Sequence, residues 1–353
     1  MGPSRGCSYK GVARPNRRRG GPRERYGRLS GTDALDAAAR AAWLYYVARR
    51  TQDEIAQRLG VSRQAAQRLV ARAVNEGLVH VRIDHPIANG LMLAARLEDR
   101  FALTRAIVVP TAPEGVASTV GVAGALAEEI ERWLSRDEPL VVGMGTGRTL
   151  KAAVSRLPSM NCPQHRIVSM TGSIAPDGTA AFYNVIFSMA DRVSAPHYPL
   201  PVPVYASDER ERDLLHAQPS LRIPLEMARK ADVAFLGIGD LREGAPLAAD
   251  GFVSSAKLDE LRERGAVGEI CGWLFDRKGQ LLSAPSNQRI ASPPLPDRER
   301  TTVVGAAVGT RKRTAIQAAL QGGLLSALIT DEATAGWLIE QTERPTVETD
   351  RSA

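Results

Sequence analysis

Apolar positions between Asp33 and Asn75 recur three times at helical spacing. Ala34, Leu35, Ala38, Ala42 and Tyr45 or Tyr46 fall near a 3.6-residue period, which predicts one amphipathic helix over 33–50. Thr51 opens a second, with Ile55, Ala56 and Leu59 on its apolar face. Thr51 and Glu54 have the spacing of a capping box, in which each side chain takes up a backbone N–H that the helix start leaves free. Gly60 permits a sharp exit, and Ser62 is a good N-cap for a third helix. That helix carries Ala65, Ala66, Leu69, Val70, Ala73 and Val74 on one side. Arg63, Gln64, Gln67, Arg68 and Arg72 lie on the other, with no acid before Glu76. Gly77 ends it, and LVHVRI (78–83) alternates enough for a short strand, a wing.

Two helices around a glycine turn, small residues inward and arginines and glutamines outward, predict a helix-turn-helix over 33–85. Its third helix is shaped for the major groove of double-stranded operator DNA. Arginine suits guanine edges and phosphates, glutamine suits adenine edges. The DNA-facing set is therefore Thr51, Ser62, Arg63, Gln64, Gln67, Arg68 and Arg72. The alternative is a helical hairpin used only for packing. One such module buries little DNA, so two-fold pairing of chains is expected.

Beyond Pro86 the pattern changes. Ala88–Phe101 reads as a helix, with Leu91, Leu93, Leu97 and Phe101 apolar, that could link or dimerise; it sits in a linker segment over 86–104. From Arg105 to about residue 341, short apolar runs alternate with helical segments: AIVVP, PLVVGMG, RIVSMTG, DVAFLGIGD, GEICGWLFD, TVVGAAVG and LLSALIT. Continuous apolar runs are the mark of strands buried on both faces, so this part is predicted as an α/β domain with a doubly wound sheet. Ligands of such sheets bind beyond the C-terminal strand ends. Glycine clusters stand there. GMGTGRTL is the sharpest, offering Gly145, Thr146, Gly147 and Arg148 before a helix start. It fits neither the dinucleotide fingerprint nor a P-loop, so no nucleotide cofactor is expected. Thr171, Gly172 and Ser173, then Gly237, Gly239 and Asp240, then Gly268 and Glu269, then Gly309 and Lys312 occupy equivalent places. His197, in PHYPLPVPV, is a further candidate for a pocket wall.

Composition narrows the class. The 353 residues suit two or three domains, and 44% apolar with 24% charged is ordinary for a soluble chain. No run approaches the ~18 apolar residues of a membrane helix, and no secretory h-region opens the chain, so no membrane partner is expected. Cys7, Cys162 and Cys271 are far apart and show no zinc spacing; isolated thiols in a reducing cytoplasm, and no metal, are the simplest reading. The net charge is +7, yet Arg5 to Arg28 alone holds nine Lys or Arg and one Glu. The basicity thus belongs to a Gly-, Pro- and Arg-rich arm over 1–32 that cannot bury an apolar face and reads as disordered. Such an arm suits phosphate backbones, or is a solvated tail. Residues 342–353 read as a second disordered tail.

DEIAQRLGVSRQAAQRLVARAVNEGLV, VGMGTGRTL, YPLPVPV, FLGIGDL, GAVGEICGWLFDRKGQ and GTRKRTAIQAALQGGLLSALITDEATA, in that order, resemble the SorC family of sugar-responsive bacterial transcriptional regulators. The resemblance runs from about Ala34 to Ile339. It implies a winged helix-turn-helix joined to an effector domain similar to ribose-5-phosphate isomerase and glucosamine-6-phosphate deaminase folds. It also implies a homodimer or homotetramer whose operator affinity a small sugar, polyol or sugar phosphate controls. The pocket it implies comprises Thr146, Gly147 and Arg148, then Glu269 and Lys312. Family members often carry Asp at the position of Glu269 and Gly at that of Val308, and the basic arm is unlike the family.

Three functions follow as expectations. The first is a DNA-binding regulator of a carbohydrate or polyol operon. The second is a sugar-phosphate isomerase or deaminase with an appended helix-turn-helix, for which Glu269, Asp240 and His197 are the available acids and bases. The third is a DNA-binding adaptor with a vestigial pocket. Arg148 and Lys312 suit a phosphate, but no nest dense in Ser, Thr and Lys accompanies them, which favours a free polyol or sugar.

Overall fold

The computed structural model describes residues 8–9, 31–79, 88–113, 118–175, 178–179, 183, 185–249, 252–283 and 285–343. Most of the basic arm, residues 80–83 of the expected wing and the tail beyond 343 lie outside this set. The chain forms two compact units, 11–85 in one and 86–353 with 1–10 in the other. A two-residue strand, β1 (Ser8–Tyr9), pairs antiparallel with Met160–Asn161 of the second unit.

The first unit is built from α1 (Gly31–Ala42), α2 (Gln52–Leu59) and α3 (Arg63–Asn75). Both sides of the Thr51–Glu54 capping box are made. Gly60 ends α2 at φ 67°, ψ 33°, left-handed backbone that glycine adopts without penalty. The Ser62 hydroxyl accepts the Ala65 N–H. Ala41, Leu44, Ile55, Ala66 and Val70 close a small core whose alanines let the helices approach. Two positions depart from the helical period. Residues Trp43–Val47 form a π turn, which adds residues to the turn and carries Leu44 inward while Tyr45 and Tyr46 face out. Val74, expected inside, is exposed, while its neighbour Ala73 is the residue of the last turn that packs against Ala38 and Ala42 of α1.

The second unit opens with α4 (Ala88–Phe101), whose Leu97 and Phe101 are buried against the sheet. In chain order follow β2 (Arg105–Val109), α5 (Thr119–Leu134), β3 (Val141–Met144), α6 (Arg148–Val154), β4 (Met160–Asn161), β5 (Arg166–Ser169), α7 (Val185–Arg192) and β6 (His197–Tyr198). Then come α8 (Glu209–His216), α9 (Pro219–Arg229), β7 (Val233–Gly237), β8 (Gly239–Asp240), α10 (Pro246–Ala249) and α11 (Ser255–Glu263). The chain continues through β9 (Gly268–Ile270), β10 (Trp273–Phe275), α12 (Pro285–Gln288), β11 (Thr302–Ala306), α13 (Arg313–Gln321), β12 (Ala327–Asp331) and α14 (Glu332–Glu343).

Seven strands form one parallel sheet in the order β2-β12-β11-β7-β3-β5-β6. Alternate residues feed opposite faces, as a strand's two-residue period requires. Val233 and Phe235 of β7 join the core under α5, α6 and α7, while Ala234 and Leu236 join the core under α4, α13 and α14. From β3 the chain proceeds outward through β5 and β6, and from β7 it proceeds the other way through β11 and β12. The sheet therefore reverses direction between β3 and β7, which opens a crevice at their C-terminal ends.

GEICGWLFD, read as a single strand, is a hairpin instead. Cys271 and Gly272, at φ 52° and 89°, make the two-residue turn between β9 and β10. Hydrophobicity alone does not reveal a turn whose first residue is a cysteine. The expectation of isolated thiols holds for Cys271, which is buried and free, but not for Cys162, which is disulfide-bonded. Pairing of β4 with Ser8–Tyr9 brings the chain's start alongside it.

His165 is fully buried where the end of α5 meets the start of β3. Its Nδ1 accepts the Leu140 N–H at 3.3 Å and its Nε2–H donates to the Leu134 carbonyl at 3.0 Å, so the folded ring is neutral. Burial holds its pKa below the usual histidine value. The sign follows: above about pH 6.5 neither state carries the proton and nothing is lost. As pH falls through that value the unfolded chain takes up a proton that the folded one resists, and stability drops until the folded pKa is passed. The urea midpoint is expected to fall between pH 7.5 and 5.5, and to fall less in His165→Gln.

Candidate functional site

Two surfaces carry the residues singled out by the sequence. The first is the outer face of α3. Arg63, Gln64, Gln67, Arg68 and Arg72 are all exposed, as is Ser62 at the helix start. Arg63 reaches Asp53 of α2 at 3.5 Å and Arg72 reaches Glu76 at 3.5 Å, both in solvent, where such pairs are weak and easily exchanged for phosphate. Thr51 has a structural role, since its backbone N–H and hydroxyl donate to Glu54 Oε2 at 2.8 and 3.1 Å. Those bonds hold the Glu54 carboxyl below its ordinary pKa and close the N-terminal end of α2.

The second is a cavity of about 790 Å3 at the C-terminal ends of β3, β7 and β11, where the sheet reverses. Thr146, Gly147, Arg148, Thr171, Gly239, Asp240, Glu269 and Lys312 line it, with Gly237 and Gly309. Gly145, Gly172 and Ser173 do not, for a packing reason in each case. A Cβ at Gly145 would meet the Phe235 carbonyl at 3.2 Å, and one at Gly172 would meet the Val202 carbonyl at 2.4 Å. The Ser173 hydroxyl donates to the Leu200 carbonyl at 2.8 Å. Gly268 is likewise filled by Phe275 and Ala315. His197 sits exposed on the edge strand β6, beside Phe187, away from the cavity.

Charges of both signs meet inside. β8 pairs with β9 so that Gly239 stands opposite Glu269, and the carboxylate occupies the space a Cβ at Gly239 would need. Glu269 Oε2 accepts the Gly272 N–H at 2.9 Å. Asp240, almost fully buried, accepts the Arg242 N–H at 3.0 Å and faces the Arg311 guanidinium at 3.3 Å. Arg311 also donates to the Glu243 carbonyl at 2.6 Å. Lys312 Nζ donates to the Ile238 carbonyl at 2.7 Å. Burial pulls the Lys312 pKa down, Glu269 and Asp240 hold it up, and Arg148 adds to the lowering. Burial also pushes the Cys271 thiol and the Tyr205 hydroxyl up, away from reactive forms.

The rest of the wall is largely apolar, including Leu150, Val204, Leu247, Phe252 and Val308. An apolar cavity of this size with a few converging polar groups is how small molecules are held and oriented. Ser118 and Thr119 at the start of α5, Tyr183 and Arg311 complete it, and sequence patterning did not single them out. Arg311 adjoins Lys312 in the GTRK turn, so a local signal for it was present. Tyr183 gives no local signal; its carbonyl enters by accepting the Thr146 hydroxyl. Among the described residues no cluster of His, Cys, Asp and Glu could hold a metal ion, and no helix is long and apolar enough to cross a membrane.

Known families match both parts of the chain. A sugar-binding domain family model matches residues 85–340, and a MarR family model matches residues 41–86. The chain is 34% identical to the erythritol catabolism regulatory protein EryD of Brucella abortus over 310 residues, 88% of this chain and 98% of that one. It is 28% identical to the deoxyribonucleoside regulator of Bacillus subtilis over 306 residues, 85% and 96% of the two chains. Its fold is similar to that of the full-length sorbitol operon regulator SorC from Klebsiella pneumoniae, at TM-score 0.63 and 26% identity over 87% of this chain and 99% of that one. Exposed arginines and glutamines on the capped third helix of a helix-turn-helix, a ligand-sized cavity at the sheet reversal and these full-length likenesses agree. The chain belongs to the SorC family of sugar-responsive bacterial transcriptional regulators.

Proposed function

We propose that a small polyol, sugar or sugar phosphate in the switch-point cavity sets the affinity of α3 for operator DNA. The observation that carries this reading is the cavity's content. Eight of the residues singled out for the effector converge there, and Lys312, Arg148 and Arg311 are set against Asp240 and Glu269. Donors and acceptors packed together on an apolar wall suit a molecule with hydroxyls on every carbon. The relationship to a regulator named for erythritol catabolism makes a four-carbon polyol the first candidate, with its phosphate next. The ligand must prefer one arrangement of a homodimer or homotetramer, and a coupling of ~1–3 kcal/mol alters operator affinity ~5–150-fold. The cytoplasm is the compartment in which such a regulator meets its DNA.

The carboxylates support binding rather than turnover. Asp240 and Glu269 come together as an enzyme's acid and base would, but both are engaged with their own backbone, at Arg242 and Gly272. No isomerisation or deamination of pentose or hexose phosphates is expected from the purified chain.

A thermal-shift panel tests the reading, with erythritol, longer polyols, free sugars and the phosphates of each. A true effector at 100 times its Kd adds about 2.7 kcal/mol to folded stability. A panel with no member raising Tm would leave the adaptor with a vestigial pocket as the better account.

A further inference from the structure

We propose that the turn joining α1 to α2 is a second DNA contact, which grips the phosphodiester backbone beside the groove that α3 occupies. The inference rests on the DNA-binding reading of the first unit and adds a site outside its recognition face. Three observations carry it.

The first is the π turn. An uninterrupted α-helix would keep one of Tyr45 and Tyr46 on the buried stripe. The extra residue of the π turn sends both out instead, 40% and 42% exposed, locked edge to face with ring centroids 4.9 Å apart. Trp43, in the same turn, is 58% exposed. Three large aromatic side chains left in water within one turn mark a surface that something covers. Their O–H and N–H groups are donors of the kind phosphates accept.

The second is Arg49. It stands at φ 52°, a backbone conformation unfavourable for any residue with a side chain, where glycine would be unstrained. Its side chain is exposed and has no ion-pair partner among the described residues. Strain kept at a non-glycine position, with a free guanidinium as the result, points from geometry to use.

The third is charge, and it selects the occupant. From Trp43 to Gln52 the chain holds two arginines and no acid. The nearest acids are already engaged. Glu54 takes the Thr51 N–H and Arg50, and Asp53 takes Arg63 at the start of α3. With those two acids each offset by an arginine, Arg49 remains as the cation of this turn with no ion-pair partner among the described residues. A polyanion complements that charge; a second copy of the same turn does not.

The test uses the full chain and a random-sequence duplex of about 24 base pairs, long enough for two half-sites one helical turn apart, titrated across a series of salt concentrations. Arg49→Gly removes the charge at a position where glycine fits the backbone better, so lost binding cannot be laid to misfolding. Arg49→Lys keeps the charge. The glycine variant is expected to bind the duplex several-fold more weakly, and its slope of log K against log salt to shrink by ~0.9. The lysine variant is expected to keep the wild-type slope. Unchanged affinity and slope in Arg49→Gly would overturn the proposal. So would a change in sedimentation with the slope intact, which would make the turn a contact between copies. A wild-type chain that fails to bind the duplex even at low salt would instead remove the DNA-binding reading underneath.

Discussion

Alanine at Gln64 or Gln67 is expected to abolish sequence preference while sparing general affinity for DNA. Both side chains are exposed on the outer face of α3. An amide that reads an adenine edge contributes about 1–3 kcal/mol of discrimination, so each variant should lose ~5–150-fold on the preferred sequence and little on random duplex. Arg63→Ala should act the same way, with a smaller loss. Part of the Arg63 charge is already offset by Asp53 at 3.5 Å, and that pair must open before a base can be held. Removing the arm before Gly31 should do the opposite and weaken all duplexes alike, because a run of arginines outside the recognition helix meets phosphates without reading sequence. Sites selected by the wild-type chain from a randomised duplex pool supply the specific probe, and competition against random duplex supplies the ratio. Equal losses on selected and random DNA for all three helix variants would mean that α3 does not lie along base edges.

The second large effect is expected at Lys312. Its ammonium donates to the Ile238 carbonyl and faces both Glu269 and Asp240 inside the cavity. Methionine keeps most of the stem and its packing, but removes the ammonium that faces Glu269 and Asp240, leaving Asp240 to Arg311. A bond from a charged group contributes about 1.5–3 kcal/mol, so Lys312→Met should weaken the effector ~10–150-fold. Affinity for DNA in the absence of effector should stay at the wild-type level, since the change lies in the other unit. Titration by calorimetry, with whichever panel compound stabilises the wild type, reads the first quantity, and duplex binding reads the second. Gly239→Val is a second route to the same end, because the new side chain would displace the Glu269 carboxylate from the place it occupies. Effector affinity unchanged in both variants would move the binding site away from this cavity.

Features that depend on residues close in the chain were legible in the sequence. The Thr51–Glu54 capping box, the left-handed Gly60, the Ser62 cap and the outward arginines and glutamines of α3 each follow from contacts within about four residues. The apolar runs that became β3, β7, β11 and β12 announced themselves because strands buried on both faces admit almost no polar residue. The glycine-rich strand ends that border the cavity were legible for the same reason, since a strand end and a helix start are local signals.

Everything that required two distant segments to meet was decided by the tertiary structure. Nothing local distinguishes Gly147, which borders the cavity, from Gly172, which the backbone at Val202 and Pro203 packs against. Asp240 and Glu269 become neighbours only through the pairing of β8 with β9, and Lys312 joins them only because β11 lies beside β7. The π turn escaped the helical period because one inserted residue rotates all that follow, so Tyr45 and Tyr46 face water against the pattern around them. Short-range hydrogen bonding and side-chain periodicity are written along the chain. Which strand ends share a crevice depends on sheet order, and sheet order is a property of the packed whole.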